Sequence, residues 1–268
     1  MEHFDWRRIE AALRQGIRQK GEKTNHVSAV IDQLKSLTQK FSNAHWSRAS
    51  CTKVGKVLLT NNPVVIAPCC PDYAHENGRY TYKGLGGGIS LLAARHIDFL
   101  CQIQQVVPDV AVLLLMADHE ADDPVLCRAA RKTREEFLEL VQTSIVAIQE
   151  HINSFGWRIQ AMTEIIPDLV VQEEKIAQRL GSTPEFRYRL TDETFSRLEM
   201  YDRIASAAGI RFNEKDLFAR TIKTAAQYVA MGNFAAAKAR IIVNHTTTNL
   251  NWYRQTEAAV IHNPVSVY

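Results

Sequence analysis

Three polar stretches of this 268-residue chain follow apolar runs and carry the side chains best suited to chemistry. The first runs from Pro68-Cys-Cys-Pro-Asp-Tyr-Ala-His75 to Tyr80-Thr-Tyr-Lys-Gly-Leu-Gly-Gly-Gly88. Glycines ahead of a helix free backbone N–H groups to hold an anion at its N-terminus. Lys83 adds a point charge suited to a phosphate or carboxylate. The pattern is not a Walker loop, because the lysine precedes the glycines, and it is not Gly-x-Gly-x-x-Gly. A nucleophilic Cys69 would need a depressed pKa and an adjacent base, for which His75 is nearest in sequence. The plainer reading makes Cys69 and Cys70 small apolar residues beside a strand, where a substrate can still touch them. A zinc set of Cys69, Cys70, His75 and His119 has adjacent cysteines and so poor chelate spacing; no metal and no cofactor are assigned.

The second stretch is Asp118-His-Glu-Ala-Asp-Asp123. Asp118 is the first polar group after an apolar run, placed to orient an amine or act as a general base. His119 beside it is a candidate substrate contact, and Asp122 and Asp123 read as helix caps. A solvated acidic turn is the alternative. The third stretch, Asn244-His-Thr-Thr-Thr-Asn-Leu-Asn-Trp-Tyr253, is costly to bury without partners, so it reads as exposed or as a binding surface. His245 is its candidate acid/base and Asn244 a candidate contact. Tyr228, late on a helix, reads by default as a core tyrosine with a satisfied hydroxyl, and as a catalytic helper if the site is real.

These side chains need a scaffold. Apolar spacing predicts helices over 5–20 and 26–43, the latter on Val30, Leu34, Leu37 and Phe41. Val64–Ala67 is β-branched and apolar and reads as a central strand ended by Pro68. A helix over 89–105 is followed by the strongest strand, Val110–Met116, apolar on both faces as a covered parallel sheet requires. Pro124 is expected to open a helix reaching His151, with the stripe Ala130, Phe137, Val141, Ile145, Ile148 and Ile152. Trp157–Ile165 reads as a third strand, 169–208 as two or three helices, 214–231 as another, and 239–243 and 258–261 as the last strands. Strands alternating with helices imply an α/β, Rossmann-like doubly wound and mainly parallel sheet. In such sheets ligands sit at the carboxyl ends of strands, which is where the three stretches fall. No repeat or linker divides the chain, so one domain over 1–268 is expected, with a helical N-terminal segment over 1–55.

Composition narrows the class further. The five cysteines, Cys51, Cys69, Cys70, Cys101 and Cys127, are odd in number and scattered, as in a reduced cytoplasmic protein. No apolar run reaches transmembrane length, and Met1–Arg8 lacks the apolar core of a secretory signal, so no membrane partner is expected. The net charge of +3 decides little. Locally, Arg7, Arg8, Arg14, Arg18, Lys20 and Lys23 load one helix, and Arg128, Arg131, Lys132 and Arg134 another. Such clusters mark either a nucleic-acid face or a solvated one.

Two families are similar in the order of their elements. Tyr82-Lys83-Gly-Leu-Gly86, the helix after it, and Val107–Asp118 resemble the Lys-to-Gly segment and Ser-Asp-Gly strand end of the isocyanide (isonitrile) synthases. Ala239-Arg240-Ile-Ile-Val-Asn-His245 resembles that family's Arg-x-Ser-Ile-His strand. Pro68-Cys-Cys-Pro-Asp stands in place of the family's Pro/Phe-rich run, and Ala117 and His119 in place of its Ser and Gly. The resemblance implies a synthase that turns an amino acid's amine into an isocyanide with a pentulose phosphate as carbon donor. Lys83 would then bind the anionic donor, Asp118 orient the amine, His245 and Tyr228 move protons, and Arg240 contact substrate. The strand at 110–117, the basic helix from Arg128, the strand at 157–165 and the Tyr228 helix also resemble the cyclodipeptide synthases. Cys69-Cys70 stands where that family has its nucleophilic Ser. This second resemblance implies an aminoacyl-tRNA-dependent transferase, with tRNA as partner. A non-catalytic binding protein is the third reading.

Overall fold

The apolar runs assemble into a single parallel sheet of five strands. The computed structural model describes residues 6–39, 46–60, 62–69, 91–124, 127, 132–194, 214–244 and 252–262, with the backbone alone for 6–20, 39, 91 and 92. The strands are β1 (Val64–Cys69), β2 (Ala111–Met116), β3 (Arg158–Ala161), β4 (Arg240–Asn244) and β5 (Ala259–His262), ordered β3-β2-β1-β4-β5. The helices are α1 (Trp6–Gln39), α2 (Arg48–Leu58), α3 (Leu91–Val106), α4 (Arg134–Ile152), the short α5 (Met162–Ile165), α6 (Leu169–Ser182) and α7 (Glu214–Ala237). Helical backbone also spans 184–194. All pairings are parallel, which makes this the α/β Rossmann-like, doubly wound architecture that the alternating runs imply.

The two-residue period of the strands sorts side chains onto two cores. Val65, Ala67 and Cys69 of β1 join Val112, Leu114 and Met116 of β2 against Leu34 of α1, Ile97 and Leu100 of α3, and Phe137 and Val141 of α4. Ile66, Leu115 and Ile242 face the other way, onto Leu169 of α6, Ala230 and Met231 of α7, and Tyr253. Strands buried on both faces read as continuous apolar runs because neither face meets water.

β1 pairs with β2 from Val64↔Ala111 as far as Cys69↔Met116, but with β4 only from Val64↔Arg240 to Ile66↔Ile242. Pro68 therefore lies inside the strand instead of ending it. Cys69 O accepts from Ala117 N at 2.8 Å, so alternation turns the Pro68 nitrogen toward β4, beyond the last β1–β4 pair. Its missing N–H breaks no ladder bond there. The order of strands reverses at β1 and β4, so their parting marks the switch-point crevice.

Several boundaries differ from the expectation. The first two helices are one helix of 34 residues, because Gly21 is tolerated within it. The 118–122 turn is a 3₁₀ turn, and the helical backbone that starts at Pro124 does not run unbroken to His151: residues 132 and 133 are non-helical and α4 begins at Arg134. Thr133 caps it: its hydroxyl accepts from Glu136 N, and Glu136 Oε2 accepts from Thr133 N at 2.7 Å. This reciprocal capping box starts a separate helix. The third strand stops at Ala161, where α5 begins.

α7 fits the segment after β4 through Gly232. A Cβ there would lie 2.6 Å from Thr256 Oγ1 and 2.8 Å from its Cγ2. Thr256 is buried, donates to Tyr253 O at 2.7 Å and accepts from Ala258 N at 3.2 Å, so it has no room to yield. Gly232→Ala is expected to cost about 1–3 kcal/mol in urea unfolding; an unchanged midpoint would show that this contact relaxes freely.

A candidate acid–base site beneath the end of β2

β2 delivers Ala117 to the carboxyl end of the sheet, where the 3₁₀ turn Asp118–Asp122 packs against α4 and α5. Its placement is enforced from two sides. Asp118 Oδ1 accepts from Thr163 N at 3.1 Å and its Oδ2 from the Thr163 hydroxyl, so the carboxylate caps the first turn of α5. Asp123, just past the turn, forms a buried ion pair with Arg220 of α7, while Asp122 meets Arg134 Nε at 2.6 Å at the surface. Asp118 thus serves the local backbone and reaches the site as a nearby negative charge.

Under this turn lies a buried polar cluster of which the sequence singled out only His119. His119 is 5% exposed and Glu173 3% exposed. Glu173 occupies an inward position of α6, in the stripe Leu169, Glu173, Ile176 and Leu180. Arg220, Lys223 and Gln227 recur at helical spacing on α7, the helix packed most closely against α6. Gln227 lies beside both His119 and Glu173.

Burial dominates the titration of this cluster. It pushes the Glu173 carboxyl up to about 7, against the pull of Lys223 and Gln227; Asp118 and Asp122 reinforce the rise. Burial also holds the His119 imidazole below its ordinary value, opposed by Asp118 and by Gln227. A carboxyl group that is half protonated near neutrality, beside a neutral imidazole, can take up and return a proton. A glutamate in an apolar helical stripe was the one available signal, because glutamate is almost never fully buried unless paired.

The other candidate residues are distributed unevenly. Cys69 points into the core on the opposite face of β1, with its thiol pushed up to about 12 by burial, which removes the thiolate a nucleophile needs. Asn244 is fully buried at the end of β4, paired in register with His262 of β5. Tyr228 packs edge-on against Tyr253 with ring centroids 5.5 Å apart. Arg240 stands at the opposite end of the sheet, in register with the first residue of β1 and 5.0 Å from the Phe234 ring centroid. Four residues of strand, about 13 Å, separate it from Asn244. The structure therefore divides Arg240 from the carboxyl-end candidates. Lys83, Cys70, His75, His245, Arg128 and Arg131 lie outside the described residues. No group of three or more metal-ligating side chains occurs among the described residues, and no described helix is long and apolar enough to cross a membrane.

No family model matches this sequence, and neither does any curated protein. Among solved structures, the chain is similar to a cyclodipeptide synthase from Bacillus thermoamylovorans, with 12% identity over 81% of this chain and 90% of that one, at a TM-score of 0.49. A similarity at this level speaks to neither site nor activity.

Proposed function

We propose that the chain is an enzyme of amino-acid chemistry that transfers an activated aminoacyl group onto an amine, with Glu173 as its acid–base group. One observation carries the reading: a buried carboxyl group poised at about 7 beneath the carboxyl end of β2. An α-amino group titrates near 7.7–8.0, so the two are matched for proton exchange. In the reaction, the amine nitrogen attacks the ester carbonyl and a C–N bond forms as the C–O bond breaks. Glu173 takes the proton released from nitrogen and returns it to the departing oxygen. The tRNA-dependent reading asks little more of this site than a base beside an amine. The isocyanide reading also asks for a phosphate donor held by Lys83, and no comparison favours it.

The test is mass spectrometry of extracts from cells expressing the chain or its Glu173→Gln variant. The expected result is a mass equal to two amino acids less two waters, present with the parent chain and lost with the variant. A mass equal to an amino acid plus carbon less two hydrogens would replace this reading with isocyanide formation. A product formed equally by both chains would remove Glu173 from the mechanism. Absence of any product, with no retention of charged tRNA at low salt, would favour a binding protein.

A further inference from the structure

The second half of α1 packs into the body of the protein. Val27, Val30, Leu34 and Thr38 are buried, and Leu34 shares its core with Val54 and Val57 of α2. Gly55 of α2 lets the two helices approach closely there, since a Cβ at that position would lie 3.3 Å from Ile31 Cδ1 and 3.7 Å from Val27 Cγ1. Ahead of Val27 the residues from Gly21 to His26 are all exposed. Consecutive helical positions turn by about 100°, so this run covers every direction around the axis. The helix therefore emerges from the body at Val27 on all sides. It continues to Trp6, about 22 Å beyond Gly21. Along that outer half Trp6, Ile9, Leu13 and Ile17 are spaced three, four and four residues apart and share one face of the helix. Lys20, Lys23 and Thr24 stand between this stripe and Val27, so it is separate from the seam that meets the body. Arg7, Arg14 and Arg18 share the adjoining face. With Arg8, Lys20 and Lys23 they oppose only Glu10 and Glu22 over residues 6–26.

We propose that the outer half of α1 is a membrane-surface helix, which lays the face of Trp6, Ile9, Leu13 and Ile17 into the headgroup boundary of an anionic bilayer. Charge selects this occupant over two others. A second copy of the helix would cover the apolar stripe, but it would set one strongly cationic helix against another. A nucleic acid would neutralise the arginines and leave the apolar stripe in water. An anionic lipid surface takes up both, with the apolar face at the acyl boundary and the cations among the headgroups. Such a helix lies on the bilayer and does not cross it, in keeping with the lack of any described helix long and apolar enough to span a membrane. The inference is independent of the activity proposed above, since α1 joins the body through α2 and α3 and not through α6 or α7.

The test is flotation of the full chain with vesicles of phosphatidylcholine and phosphatidylserine, or of phosphatidylcholine alone, at low salt. The chain is expected to float with the anionic vesicles and to bind the neutral ones about tenfold more weakly or worse. Leu13→Glu is expected to abolish flotation with no change in the thermal midpoint. Replacing Arg7, Arg14 and Arg18 together by Gln is expected to lower the affinity about 100-fold. Adding anionic vesicles should shift tryptophan emission to the blue, and Trp6→Phe should remove that shift; this conservative change serves should Leu13→Glu not fold. Absence of flotation, equal flotation with both vesicles, flotation retained in Leu13→Glu, or an emission shift retained in Trp6→Phe would each overturn the inference. A dimer in solution that Leu13→Glu dissociates, without flotation, would replace the bilayer by a second copy. Retention of tRNA that the arginine changes abolish, without flotation, would replace it by nucleic acid.

Discussion

Glu173→Gln is expected to lower turnover by about 10²–10⁴-fold, the range supplied by a positioned acid–base group, and at the same time to stabilise the fold at pH 8. The carboxyl is raised from 4.5 to about 7 in the folded chain. Between those values the unfolded chain gives up its proton while the folded chain keeps it. The folded state therefore binds more protons, and its stability falls as pH rises through that window. Above pH 7 the accumulated loss is about 3 kcal/mol, at roughly 1.4 kcal/mol per unit of raised pKa. Glutamine has no proton to lose, so the variant escapes it. At pH 4, where both side chains are neutral and nearly isosteric, the two proteins should melt within a degree or two of each other. At pH 8 the variant should melt roughly 6–12 °C higher, given about 2–4 °C per kcal/mol for a chain of this size. Paired thermal melts at the two pH values check this. Equal stability at pH 8 would show that Glu173 ionises freely, and the acid–base assignment would fall with it.

The second large effect is expected at the Asp123–Arg220 pair, in which both side chains are about nine-tenths buried. Removing one partner leaves a charge in a poorly hydrated place, so Arg220→Met should cost about 3–5 kcal/mol in urea unfolding. The double variant Asp123→Leu with Arg220→Met removes both charges and should recover most of that loss, since a buried pair is often no better than apolar residues of similar volume. A thermodynamic cycle over the four proteins reads the coupling directly. Additive single changes below about 1 kcal/mol would mean that the pair is hydrated. The recovered double variant should still turn over more slowly than the parent chain. Asp123 ends the turn that carries His119, and its ion pair ties that turn to α7.

Much of the scaffold was legible because local periodicity reports which faces meet water. Val110–Met116 and Val64–Ala67 are apolar on both faces, and a strand with that pattern has to be covered on both sides. Phe137, Val141, Ile148 and Ile152 recur at helical spacing, and all are buried in α4. The boundaries that differed were set by local bonds competing with a strong residue signal. Pro124 suggested one helix as far as His151, but the chain breaks at 132 and 133, and the reciprocal bonds of Thr133 and Glu136 start a second helix at Arg134. Pro68 suggested a strand end, yet its nitrogen turns toward a side where β1 has no further pair to make.

The site is where sequence and structure part. Sequence order placed Asp118, His119 and Asn244 after strands, and in parallel strands all such ends share one edge. Arg240 carries the same kind of promise in the sequence, but it begins its strand, and direction alone sends it to the far end of the sheet. Glu173 shows the reverse. Glu173 and Glu174 are adjacent and chemically identical, yet Glu173 is buried and Glu174 exposed. Nothing within a few residues distinguishes them except the phase of the α6 stripe. What turns that phase into an elevated pKa is α7, about fifty residues further on, which excludes water from Glu173 and brings Gln227 and Lys223 against it. The short-range pattern of the chain determines which faces are apolar and hence the parallel, doubly wound sheet. Which polar group loses its water, and so acquires a proton near neutrality, is decided only when distant helices pack.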